Sequence, residues 1–156
     1  MIIKCYSELI GIPSFLDRYN YLKIGGKVGA DTFGHDRFLN QILYRSREWL
    51  DFRDEIIIRD NGCDLACAGF ELYERILVHH INPITVDDVL RRSPRVFDPE
   101  NVVSTSLTTH NAIHYGDASL LALLPPERTP NDTCPWRKEG THVQHIRHNQ
   151  GSPWRR

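Results

Sequence analysis

Two histidines four residues apart, His110 and His114, lie in the run LTTHNAIHYG, and two adjacent ones, His79 and His80, lie in ILVHHI. No other feature of the chain restricts its fold as much. On a helix, residues four apart stand one turn apart on the same face, so His110 and His114 can close on one divalent cation through imidazole nitrogens. On a strand, adjacent side chains leave by opposite faces, so one histidine of the doublet can join that pair while its neighbour stays free for proton transfer. A strand carrying the doublet must then pack against the helix carrying the pair. A lone pair at this spacing would more often be two satisfied core histidines, but the doublet and the order of elements around it shift the balance towards a shared site.

The local pattern supplies those elements. ILVHHI, from Ile76 to Ile81, reads as a strand. Thr85 precedes VDDVLRRS, with acids in the first turn and arginines in the last, the charge order a helix dipole favours. FDPEN reads as a turn, VVSTS as a second strand, and LTTHNAIHY as a helix ending at Gly116. Upstream, apolar positions at helical spacing (Phe15, Leu16, Tyr19, Leu22; then Phe38, Leu39, Ile42, Leu43, Trp49, Leu50) predict two helices around the loop GGKVGADTFG. Pro13 and Ser14 suit the start of the first helix, and Asp31 or Thr32 an approach to the second. From Ile56 the texture changes, with IIIRDNG and a further strand near Leu65. GGKVG lacks the Gly-Lys-Ser/Thr ending of a phosphate loop, which argues against a nucleotide site.

Nineteen Lys and Arg oppose twenty Asp and Glu, so the net charge of −1 makes no global case for nucleic acid or an acidic membrane, and any basic surface must be local. From Glu127 onward six basic residues face three acidic ones, a local net of +3 in a proline-rich, aliphatic-poor segment that also holds Trp136 and Trp154. Such a tail can track a phosphate backbone, although a solvated terminus explains the same letters. No apolar run nears the roughly 18 residues of a membrane span, and the opening MIIKCYSEL lacks the features of a secretory signal, so the chain is expected in the cytoplasm with its four cysteines as free thiols. Cys63 and Cys67 form a C-x3-C pair without a nearby second pair, which argues against structural zinc. The expected organisation is one compact α+β domain, with a helical region over 1–60, a core over 61–124 and an extended basic tail over 125–156.

His79-His80, Asn101 in the DPEN turn and His110-Asn111-Ala112-Ile113-His114 together resemble the motif of the HNH endonucleases, whose active site is a ββα-metal finger. The nine residues from Asn101 to His110 and four from His110 to His114 are similar to the spacing in bacterial toxin DNases of that family. The stretches VGADTFGHDRFLNQ, RDNGCDL, HHINPIT, DPENVVSTS, THNAIHYGD and NDTCPW resemble a group of small bacteriophage HNH proteins, over most of the chain up to about Arg137. The helix from Thr85 to Ser93 looks like an insertion in the hairpin. Where many HNH proteins carry a C-x2-C before the helix, this chain has Ser106 and Thr109, so the finger must be held by its flanking helices and core.

The resemblance implies a metal-dependent DNA endonuclease of the infected bacterial host's cytoplasm, with one divalent ion (Mg, Mn, Ni or Zn) held by His79, His110 and His114. His80 would act as general base. Asn101 would orient it by accepting its other ring N–H, fixing the tautomer. Arg91, Arg92, Arg95, Arg137 and Lys138 are candidate phosphate contacts on double-stranded DNA. A phage terminase is the further partner the resemblance suggests. The competing expectation is a DNA-binding or genome-packaging accessory that keeps the finger as a scaffold.

Overall fold

The computed structural model describes residues 3–24, 37–66, 69–73 and 75–121. Two short helices open the chain, α1 (Tyr6–Ile10) and α2 (Phe15–Leu22), followed by α3 (Arg37–Arg45) and α4 (Arg47–Arg59). A strand β1 (Leu77–His80), a short helix α5 (Val86–Leu90), two 3-10 turns, a strand β2 (Val102–Thr105) and a helix α6 (Leu107–Tyr115) complete an α+β arrangement.

Local chemistry explains most boundaries. The Ser14 side chain accepts the Asp17 N–H at the start of α2, and Ser46 does the same for Trp49 at the start of α4. Thr85 and Asp88 form a reciprocal capping box on α5. Gly116 ends α6 at φ +67°, a left-handed conformation that glycine adopts without a Cβ penalty. Three expectations change. The helical block after residue 37 is two helices broken at Ser46, and Ile56–Ile58 complete α4 because Ile56 and Ile57 bury themselves against the rest of the core. The residues around Leu65 form a tight loop, with Asp64 N–H donating to Phe70 O and Leu72 N–H to Gly62 O, not a strand. The first helix, α1, has no counterpart in the sequence reading. The GGKVGADTFG loop, Cys67 and the tail from residue 122 lie outside the described residues.

The two strands pair antiparallel in the register Leu77 with Thr105, Val78 with Ser104, His79 with Val103 and His80 with Val102. Strand alternation gives this hairpin two distinct faces. On one, Val103 and Ile81 pack with Ala112 and Ile113 of α6, Leu9 of α1, and Tyr19 and Leu22 of α2. On the other, Val102 and Val78 pack with Trp49, Phe52 and Ile56 of α4. Arg59 at the end of α4 locks this face polar-end on: its guanidinium donates to Val102 O (3.0 Å) and Pro99 O (2.6 Å) and lies 3.5 Å over the Tyr6 ring. The hairpin is thus clamped between α6 and α4.

Candidate metal centre

The alternation that builds the core also separates the histidine doublet. His79 shares the Val103 face and turns towards α6, where His110 and His114 project from successive turns. The ring centroids lie 5.4 Å (His79 to His110), 5.2 Å (His79 to His114) and 4.3 Å (His110 to His114) apart. One nitrogen from each ring falls within 4.8 Å of the others, the one such group of three donors among the described residues. His79 is buried, 3% exposed, whereas His110 and His114 are half-buried, so the cluster has a closed floor and an accessible side.

Charge is disfavoured throughout this cluster. Burial, then repulsion from His110, His114 and His80, holds the His79 pKa well below 6.5. Burial followed by repulsion from His114 brings His110 to about 4, with an opposing hydrogen bond from its ring to Asn111 and a further lowering by the nearby charge of Arg75. Burial also lowers His114. All three are therefore neutral imidazoles at pH 7, the form that ligates. Among the described residues His79 Nε2 and His110 Nδ1 are buried without a hydrogen-bond partner. Such atoms are costly unless something binds them. Three clustered imidazoles, two of them with an unpartnered buried ring nitrogen, could hold a divalent cation that accepts imidazole ligands.

His80 faces the opposite way. Its ring stacks on Trp49 of α4 at a centroid distance of 5.4 Å and an interplanar angle of 28°. Its Nε2 lies 3.0 Å from Val96 O. A carbonyl can only accept, so Nε2 carries the proton and Nδ1 keeps the lone pair. Burial lowers the His80 pKa, the Val96 hydrogen bond raises it, the Arg95 charge lowers it and Asp88 raises it; the net shift is downward. The imidazole is neutral at pH 7 with a defined basic nitrogen.

Asn101 occupies a different place from the one the sequence reading gave it. Its Oδ1 accepts the backbone and side-chain N–H of Asn82, at 2.9 Å and 2.7 Å, and its Nδ2 donates to Arg95 O at 3.0 Å. The His80 ring N–H goes to Val96 O instead, because the turn through Pro94–Phe97 delivers that carbonyl to the ring while Asn101 is spent on the two loop segments beside it. Asn101 therefore reaches His80 only through the backbone, by fixing Arg95 next to Val96. Asn82 extends the same network to the N-terminal segment, accepting Lys4 N–H and donating to Lys4 O.

The candidate phosphate contacts divide. Arg91 is paired with Asp87 at 2.8 Å, and Arg92 with Glu48. Arg95 makes no side-chain ion pair among the described residues, and its charge reaches His80. Arg137 and Lys138 lie outside the described residues. Sequence reasoning missed Trp49, Asn82, Val96 and Arg75. The Trp49 spacing signals only a helix face, and Arg75 stands four residues before His79, on the same side of the chain if the strand alternation is extended back. Cys5 and Cys63 are free thiols. No helix among the described residues is long and apolar enough to cross a membrane. Compared with protein-family models, curated proteins and solved structures, the chain finds no match in any of the three.

Proposed function

We propose that the chain is a metal-dependent DNA endonuclease built on a ββα-metal finger of the HNH type, formed by β1, β2 and α6 with α5 inserted in the hairpin. The observation that carries this reading is the split doublet. His79 joins His110 and His114 in a cluster of neutral nitrogens within 4.8 Å, and His80, next in the chain, presents a neutral ring whose proton is committed to Val96 O. Bound by His79, His110 and His114, a divalent ion supplies positive charge to the phosphate and to the departing oxygen.

The protein's own groups do the rest. His80 Nδ1 takes a proton from water, whose oxygen attacks phosphorus in line as the 3′ oxygen leaves, so the cut strand ends in a 5′ phosphate. Val96 O keeps the proton on Nε2 and aims Nδ1, and Trp49 restrains the ring plane. Asn101 and Asn82 hold the Arg95–Val96 segment in place. Arg75 and Arg95, close enough for their charge to be felt at His110 and His80 respectively, are suited to receive flanking phosphates of duplex DNA.

Incubating supercoiled plasmid with the protein and Mg, Mn, Ni or Zn, with and without a chelator, tests the proposal. Cleavage that a chelator abolishes supports it. Plasmid retention without cleavage under all four metals would favour the packaging or DNA-binding accessory instead.

A further inference from the structure

The helix carrying His110 and His114 has no acidic residue in its first turn. That end of a helix presents unpaired N–H groups and a partial positive charge, and favours a nearby anion. Here the anion comes from another part of the chain. Asp64, in the loop after α4, is buried at 3% exposure, and its Oδ2 accepts Ser106 N–H at 3.1 Å and the Thr109 hydroxyl at 2.6 Å. The Asp64 backbone is itself fixed, donating to Phe70 O and accepting from Gly69 N–H, both at 2.7 Å. Four residues earlier in the chain, Asp60 accepts Ser104 N–H at 2.8 Å, so two buried carboxylates, one capping α4 and one in the loop that follows, grip β2 and the start of α6.

We propose that Asp64 is a positioning residue of the histidine cluster, setting the rotation of α6 about its own axis and so the direction in which His110 and His114 point. Ser106 and Thr109 are three apart and lie on one side of the helix, and Thr109 directly precedes His110. A grip on those two positions leaves α6 one rotational setting, because each residue step turns the helix by about 100°. The cluster is then assembled before any ion arrives. The inference rests on the metal-binding part of the function proposed above.

The test uses the full chain with Thr109→Val, which removes the hydroxyl at nearly constant volume, Thr109→Ser, which keeps it, and Asp64→Asn. Two quantities are measured: affinity for cobalt(II), from its visible absorption on titration, and backbone amide exchange of Ser106 and α6 without metal. Thr109→Val is expected to weaken cobalt affinity roughly tenfold or more and to speed Ser106 exchange, with Asp64→Asn following it and Thr109→Ser staying close to wild type. Equal affinity and exchange in Thr109→Val and wild type would overturn the proposal, as would a Thr109→Ser as impaired as Thr109→Val. If the wild-type protein takes no cobalt, the metal reading fails, and exchange alone decides whether Asp64 fixes the helix: faster Ser106 exchange in Thr109→Val but not in Thr109→Ser supports it, and unchanged exchange overturns it. An Asp64→Asn protein that does not fold leaves the two threonine variants to decide.

Discussion

His79 and His80 are joined by one peptide bond, yet one packs towards α6 and the other against Trp49 of α4. That separation was legible from the letters, because the two-residue period of a strand and the 3.6-residue period of a helix fix side-chain direction before any tertiary contact is known. The partner of the His80 ring was not legible. Val96 O reaches it only because the chain between Ile81 and Asn101 loops back, a path that no local period encodes. Asn101 was found by its motif and misassigned by its contact for the same reason. Its buried amide joins Asn82 to Arg95, so Asn101→Ala leaves the Asn82 N–H groups and Arg95 O short of partners and should cost about 1–3 kcal/mol of stability, read from urea unfolding. Asn82→Ala should lower stability in the same direction, and the double variant should cost less than the sum of the two, since the residues share one network.

At the scale of elements, the capping chemistry of α2, α5 and α6 was readable, and the β-branched run Ile56–Ile58 was not. It carries strand-like letters, but burying Ile56 and Ile57 keeps it helical. The end of α6 offers a clean test of what the sequence did specify. Gly116 stands at φ +67°, and a Cβ there would meet only Ile24 O at 3.7 Å, an ordinary contact. Gly116→Ala should therefore destabilise through backbone conformation alone, by about 1–2 kcal/mol, without disturbing the neighbouring packing. Chemical denaturation measures the loss, and an unchanged midpoint would show that the left-handed cap is not maintained in solution.

At the scale of the whole molecule, four buried or half-buried histidines, His79, His80, His110 and His114, share one direction of shift, below 6.5. The unfolded chain then binds more protons than the native one once pH falls below about 6.5, so stability without metal should decline from there towards the His110 value of about 4. Glu100 and Asp88 are held below 4.5 and 3.8, chiefly by hydrogen bonds from the Ser7 and Thr85 backbones, so what they contribute is lost only as pH falls below about 4.5 and 3.8 respectively. Denaturant midpoints measured between pH 7 and 5 isolate the histidines, and a flat profile there would contradict their burial as neutral rings. Charge is also unevenly spread: the +3 from Glu127 onward sits on a chain of net −1. If the tail engages phosphates, removing 139–156, with Arg147, Arg155 and Arg156, should lower the slope of log affinity against log salt by up to ~2 to 3 on duplex DNA.

Single-turnover cleavage of plasmid by His80→Ala at saturating metal and enzyme tests most directly whether His80, next in the chain to the proposed ligand His79, is the base. We expect a rate lowered by roughly 10²- to 10⁴-fold, with metal affinity and DNA binding close to wild type. A His80→Ala protein that cleaves at the wild-type rate would contradict the assignment.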